Sequence, residues 1–367
     1  MYCNGDKMRT ALSFDDVLLE PKGSDIESRK EIDLSCKIGN FPCSLPIISA
    51  PMDTVTEWRM AVAMRDAGGL GIIHRYNTIA EQVELAHMCS FDAGFAIGVK
   101  GDYKERVAEL YKVGVRLFCI DVAHGFHTLV KRAVEYLRNT YGNEIHIMAG
   151  NIATSQACEC LANWGVDSVK IGIGGGSICS TRLQTGHGMP TFQAVKDISE
   201  NWRTHAGKNV IKIADGGIKN SGDIVKALAA GADFVMLGSL LAGTYESPGD
   251  MIPEWDNPPP LDPDEPGKFL LSQPQRYHKK YRGMASRDAQ ENWTGYVNSE
   301  EGISVTIPYK GPVVPILQGL EKGIRSGLSY SGARTIRELQ ATKEFIMQTA
   351  VGTAESFTHI LNAGGKQ

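Results

Sequence analysis

In 367 residues there is no apolar stretch approaching the roughly 20 residues that a membrane-spanning helix needs. The opening Met1-Tyr-Cys-Asn-Gly-Asp-Lys has no apolar core of the kind that directs secretion, so a cytoplasmic location with no membrane partner is expected. Runs of lysine and arginine are also missing, and the formal net charge is -4. That balance gives no electrostatic footprint for nucleic acid, although it leaves free nucleotides open as ligands. No solenoid-type repeat is visible. The eight cysteines (Cys3, Cys36, Cys43, Cys89, Cys119, Cys158, Cys160 and Cys179) are too scattered for a disulfide scaffold and are expected to be reduced. Cys158 and Cys160 form a C-x-C on a helical stretch without Cys or His partners at metal-ligand spacing, which points to packing.

What is present is enough apolar matter for a large core: 42% of residues are hydrophobic and 22% charged. Continuous apolar runs recur at 45–49, 71–74, 95–99, 117–122, 145–149, 168–173, 210–214 and 234–237, each followed by a segment of helical period. Continuous rather than alternating apolarity means burial on both faces, as in parallel strands covered by helices. Eight strand-helix alternations predict an α/β fold, a closed (β/α)8 TIM barrel, with the whole of 1–367 as one catalytic domain. The rhythm breaks at a proline-rich insertion, 248–275, after strand eight. A polar, glycine-punctuated stretch at 281–312 reads as an active-site flap, and helical period returns over 314–326 and 333–347.

In such a barrel the chemistry sits where strands run out into loops at the C-terminal face. The unusual residues fall there: Met52-Asp53, His74-Arg75, Asp121, Asn151, Asp215-Gly-Gly217 and Gly238-Ser239. Successive glycine-bearing ends after strands seven and eight suit a phosphate held on backbone amides. Asp215 beside them could accept from ribose hydroxyls or cap the next helix. The most informative run is Lys170-Ile-Gly-Ile-Gly-Gly-Gly-Ser-Ile-Cys179-Ser-Thr181-Arg182, a strand turning into a glycine-rich loop that presents one thiol. With a hydroxyl two residues on and a cation next to it, Cys179 is a candidate nucleophile rather than an inert surface thiol. Lys170 and Lys212 lie inside strands and show no Schiff-base role.

These residues resemble one family over nearly the whole chain. The stretches beginning Leu12-Ser-Phe-Asp-Asp-Val, Met52-Asp-Thr-Val-Thr-Glu and Gly69-Leu-Gly-Ile-Ile-His74, the cysteine loop, Ala214-Asp-Gly-Gly-Ile and Tyr281-Arg-Gly-Met284 are similar to motifs of the IMP dehydrogenases and GMP reductases. The resemblance implies a homotetrameric barrel acting on a purine nucleoside monophosphate, with Cys179 attacking the purine C2 while a nicotinamide cofactor stacks on the base. It implies that Ser177, Gly217, Gly238, Ser239 and Tyr281 bind phosphate, Asp215 the ribose, and that Met52, Gly283, Met284 and Glu301 lie along the base. Asp121 and Asn151 match cofactor positions, and backbone carbonyls of Gly174, Gly176 and Cys179 match a monovalent-cation site for K+.

Dehydrogenases of the family hydrolyse their adduct with an Arg-Tyr pair on a long flap, whereas reductases use a Thr-Glu pair and NADPH. Here Gly295 stands before Tyr296, the flap is short, and Thr181 and Glu301 occupy the reductase positions. The helical stretch 79–90 also runs straight into strand three, with no regulatory CBS modules between. The expectation is reductive deamination of GMP, with dGMP as a second candidate substrate, to IMP and ammonia with NADPH. The alternatives are an IMP dehydrogenase working with NAD and a catalytically silent nucleotide-binding barrel.

Overall fold

The structure is a computed structural model, and it describes residues 8–201, 209–255, 276–297 and 300–356. Eight parallel strands, β1 (Ile47–Ser49), β2 (Leu70–Ile73), β3 (Gly94–Ile97), β4 (Leu117–Asp121), β5 (His146–Ile152), β6 (Ser168–Ile171), β7 (Ile211–Asp215) and β8 (Phe234–Leu237), close into a barrel. Closure is made by β8 against β1, with Val235 opposite Ile47 and Leu237 opposite Ser49. Helices α1 (Trp58–Asp66), α2 (Ile79–Met88), α3 (Tyr103–Lys112), α4 (Thr128–Tyr141), α5 (Ser155–Trp164), α6 (Thr191–Asn201), α7 (Ser221–Ala229) and α8 (Val313–Tyr330) follow the strands in turn. The fold class expected from the eight runs is therefore the one observed, a (β/α)8 TIM barrel.

Alternation along β4 shows why both faces read as apolar. Leu117 and Cys119 point into the barrel with Ile72, Met148, Phe234 and Met236, while Phe118 and Ile120 point out to the helices. On α4, Val130, Ala133, Val134 and Leu137 form one buried stripe at helical spacing. Each fully buried valine or leucine of that stripe contributes about 1.5–3 kcal/mol relative to exposure. The helix starts are fixed by side-chain oxygens, from Thr78 to the Glu81 amide, Thr154 to that of Ala157 and Asn220 to that of Asp223. Asn220 thus caps α7, so Asp215 is not the cap and lines the cavity instead. Between α2 and β3 lie only residues 89–93, so no module is inserted there. Among the described residues no helix is long and apolar enough to cross a membrane.

Two expectations are corrected. The stretch 333–347 is not one helix: Ile336–Thr342 is helical, and Phe345–Met347 is a strand antiparallel to Val17–Leu19. Lys343 adopts an extended conformation (φ -55, ψ 139) that ends the helix, and the following Phe-Ile-Met run satisfies its backbone across the N-terminal strand. The region after β8 is also more regular than its composition suggested. Ile252–Glu254, Arg276–Arg282 and Ser304–Pro308 form a three-stranded antiparallel sheet, with helix Arg287–Thr294 on the flap. Residues 256–275 of the insertion lie outside the described residues.

Candidate active site

The C-terminal ends of the strands open into a cavity of about 370 Å³. All of the residues given catalytic, substrate, cofactor or cation roles from the sequence line it: Cys179, Thr181 and Glu301; Met52, Ser177, Asp215, Gly217, Gly238, Ser239, Tyr281, Gly283 and Met284; Asp121 and Asn151; and Gly174 and Gly176. They come from the C-terminal ends of β4, β5 and β7, from the loops after β1, β6, β7 and β8 and from the flap, so the barrel brings together residues up to 249 positions apart (Met52 to Glu301).

Cys179 lies at the end of the glycine loop, just before the short helix Thr181–Thr185. Its thiol Sγ donates to Thr181 Oγ1 at 3.2 Å, and that hydroxyl donates to Glu301 Oε2 at 2.9 Å. A nucleophile, a hydroxyl and a carboxylate thus form a continuous path for one proton. The carboxylate arrives from the flap, which is tied to the cysteine loop through its backbone. The Ser180 amide donates to the Glu301 carbonyl at 3.0 Å and the Ile303 amide to the Ile178 carbonyl at 3.0 Å. The flap base is latched to the loop after β1 by Arg282, which donates from Nη2 (2.6 Å) and Nε (2.9 Å) to Asp53 Oδ2.

On the β7 and β8 side, the Tyr281 hydroxyl lies 3.3 Å from Ser177 Oγ, beside Gly217, Gly238 and Ser239. Burial raises the Tyr281 pKa, so the hydroxyl stays protonated and available as a donor. Two hydroxyls and a glycine-lined wall make a small cradle that suits a phosphate.

The opposite wall carries charge that the sequence reading did not assign. Lys170, almost fully buried on β6, reaches Asp121 Oδ1 at 2.5 Å and Asp215 Oδ2 at 3.4 Å. Burial alone would discharge the ammonium, but the two carboxylates outweigh it and hold its pKa above the ordinary lysine value. Asn151 Nδ2 donates to Asp215 Oδ2 at 2.9 Å and to the Gly172 carbonyl at 2.7 Å, so Asn151 stands with Asp215 and offers a ligand its Oδ1. The signal for Lys170 was there: a lysine in an otherwise apolar parallel strand must reach a partner, and β6 ends at the cavity.

Arg75, singled out at the end of β2 without a role, and Tyr76, which sequence reasoning missed, also line the cavity. Arg75 lies over the Tyr76 ring (5.3 Å), Tyr76 stacks on Trp293 of the flap helix (5.8 Å), and its hydroxyl donates to the Met284 carbonyl at 2.7 Å. His74, at the same strand end, turns away to Glu57 (3.1 Å). Gly295 ends the flap helix in the left-handed region (φ +75), a conformation that disfavours any side chain, and Tyr296 after it is 60% exposed.

A family model described as "IMP dehydrogenase / GMP reductase domain" matches residues 11–255 and 263–359. The chain belongs to this family. Among curated proteins it is 32% identical to the inosine-5'-monophosphate dehydrogenase of Nitrosopumilus maritimus (strain SCM1) over 493 aligned positions, covering 96% of this chain and 99% of that one. It is 29% identical to a GMP reductase of Leishmania major, covering 95% of this chain and 96% of the relative. A solved structure of a cysteine-to-alanine variant of Trypanosoma brucei GMP reductase, in complex with guanosine 5'-monophosphate, superposes with a TM-score of 0.84 at 28% identity, covering 98% of this chain and 99% of that one. The chain is thus an oxidoreductase of the IMP dehydrogenase and GMP reductase family, of the kind that works on purine nucleotides with nicotinamide-type cofactors.

Proposed function

We propose that this protein is a GMP reductase, one catalytic domain that converts GMP to IMP and ammonia with NADPH, and that it accepts dGMP at the same site. The observation that carries this reading is the Cys179–Thr181–Glu301 path at 3.2 and 2.9 Å. It is supported by Gly295, which stands where a water-activating arginine would precede Tyr296 and whose left-handed backbone disfavours a side chain. The solved neighbour that contains GMP is consistent with the same substrate class.

In this reading the phosphate rests against Ser177, Gly217, Gly238, Ser239 and Tyr281, and the ribose hydroxyls donate to Asp215. Met52, Gly283 and Met284 flank the base. The Cys179 thiol proton passes through Thr181 Oγ1 to Glu301, and the sulfur adds to purine C2 while a ring nitrogen takes up a proton from solvent, which returns to the sulfur when it departs. Protonated Glu301, through Thr181, then gives its proton to the C2 amino group, so that ammonia rather than amide leaves. NADPH, when bound, supplies the hydride to C2 that completes IMP as the sulfur departs. Asp121, Asn151 Oδ1 and Arg75 fit such a cofactor by chemistry, being two acceptors for ribose hydroxyls and a cation for phosphate. Of the carbonyls suggested for K+, that of Gly176 already accepts from the Cys179 amide at 3.1 Å, and no step is routed through a cation. Homotetrameric assembly, which the resemblance implies, and a cytoplasmic location, which the sequence led us to expect, belong to the same reading.

A second reading, an IMP dehydrogenase using NAD, is favoured by the dehydrogenase relatives such as that of N. maritimus. Incubating the purified protein with GMP, dGMP and IMP against NADPH and NAD+, while following nicotinamide absorbance and ammonia, separates the two. Ammonia release from GMP with NADPH oxidation supports the reductase. NAD+ reduction by IMP, with no ammonia from GMP, overturns it.

A further inference from the structure

At the other end of the barrel from the cavity, Cys36–Ile38 and Phe41–Cys43 form a hairpin beneath the strands. Its turn, Gly39-Asn40, puts Gly39 at φ +57, as a two-residue turn with glycine in the first central position requires. Gly39 abuts His146, the first residue of β5, whereas the active-site end of that strand carries Asn151. Ile38 and Cys43 are buried in the barrel interior with Ile48, Leu70 and Phe234, and Cys36 and Phe41 pack against them. The register pairs Ile38 with Phe41, Lys37 with Pro42, and Cys36 with Cys43.

We propose that Cys36 and Cys43 are a reversible dithiol-disulfide pair that hydrogen peroxide closes into a staple across the barrel floor. Directly opposed residues in an antiparallel pair have Cα atoms about 4.5–5.5 Å apart, inside the window of about 4.4–6.8 Å that a disulfide needs. The register sets the two thiols side by side, and their mutual interaction pulls Cys43 below the ordinary thiol range and pushes Cys36 above it, while Cys43 Sγ also donates to the Phe41 carbonyl at 3.8 Å. Cys43 is therefore the sulfur that gives up its proton first, and half-buried Cys36 stands opposite it in the hairpin. Cys119, by contrast, is fully buried without a cysteine opposite it in the sheet, and burial pushes its thiol up to about 12.

The step balances with one peroxide. The Cys43 sulfur attacks a peroxide oxygen, the O–O bond breaks, and a sulfenic acid and one water result. The Cys36 sulfur then attacks that sulfenic sulfur, the S–S bond forms, the S–O bond breaks, and a second water leaves. Two thiols lose two electrons and two protons in total, and the peroxide is reduced to two waters.

The test needs no activity measurement, because Cys179 also reacts with peroxide and serves as an internal measure of dose. Reduced full-length protein is treated with hydrogen peroxide, blocked with N-ethylmaleimide and digested with trypsin, which cuts after Lys30, Lys37 and Arg59. Peptide 31–37, with Cys36, and peptide 38–59, with Cys43, are expected as one linked species that dithiothreitol separates. Oxidised protein should melt about 3 °C above reduced protein, the shift that closing so short a loop gives in a chain of this length. Neither the linked species nor the shift should occur in Cys36→Ser or Cys43→Ser. Recovery of both peptides separately, as maleimide adducts or as individual sulfinic acids, at a dose that oxidises Cys179 overturns the proposal.

Discussion

Replacing Glu301 by glutamine isolates the step on which the proposed chemistry turns. Glutamine keeps the size of the side chain and an oxygen that can still accept from Thr181 Oγ1, now 2.9 Å from Oε2, so the flap register and the loop contact should survive. What is lost is the capacity to take the Cys179 proton and return it to the departing amine. A positioned general acid-base is worth about 10²–10⁴ in rate, or roughly 3–5 kcal/mol of barrier. Glu301→Gln should therefore lower kcat for GMP by about 10²–10⁴, with ammonia release and NADPH oxidation falling in parallel. Because the carboxylate is bonded to Thr181, GMP affinity measured by calorimetry should stay within about threefold, under 1 kcal/mol. Steady-state rates at saturating GMP and NADPH, together with the titration, decide the matter. A variant that keeps kcat within fivefold of the parent, or whose loss is matched by lost GMP affinity, refutes the proton path.

Three further outcomes are expected. Cys179→Ala should bind GMP in calorimetry yet show no turnover and no covalent adduct by mass spectrometry; unaffected turnover would remove sulfur from the mechanism. Lys170→Met leaves Asp121 and Asp215 facing each other without their ammonium and should cost about 3–5 kcal/mol in urea unfolding at pH 8. Two facing carboxylates repel only when both are ionised, so this deficit should be smallest near pH 4 and grow as the pH climbs; a deficit independent of pH contradicts the charge argument. His146 is held neutral by burial, with its pKa lowered to about 4, and Nε2 lies 2.9 Å from Ser168 Oγ. Between pH 4 and 6.5 the unfolded chain binds a proton that the folded one does not, so stability falls by up to about 3 kcal/mol as the pH drops through that window. His146→Gln should flatten that limb in denaturation curves at pH 4.5 and 7; an unchanged slope rules out His146 as its source.

The barrel was legible because each parallel strand is buried on both faces and announces itself as a continuous run, and because helices of matching period follow in order. The cavity residues were legible for a related reason: in this architecture strand ends converge whatever their sequence separation, so Met52, Asp121, Asp215 and Cys179 meet by topology. Lys170 was missed because its role exists only across the barrel, where Asp121 and Asp215 approach from β4 and β7 on either side. The strand Phe345–Met347 was missed because its partner Val17–Leu19 lies over 320 residues away (Leu19 to Phe345), and a local helical period says nothing about such a pairing. The hairpin partnership of Cys36 and Cys43 was hidden behind an even but scattered cysteine count.

One segment both closes the cavity and selects its chemistry. The flap is fixed at its base by Arg282 on Asp53 and at its return by backbone bonds from Ser180 and Ile303, so Glu301 is placed by main-chain register rather than by its own side-chain freedom. Between these anchors the helix Arg287–Thr294 ends at Gly295 in a left-handed turn. An arginine there would carry the strain of a positive φ, about 1 kcal/mol or more, and would extend from the helix end where Tyr296 is largely exposed. Adding a guanidinium by Gly295→Arg should therefore not create water-dependent turnover of IMP, because position 295 is not among the residues that line the cavity. Lengthening the flap so that an Arg-Tyr pair reaches Cys179 should be needed as well. Assaying both variants for NAD+ reduction by IMP distinguishes these cases: turnover from the single substitution would show that residue type alone, and not the short flap, separates the two reactions in this chain.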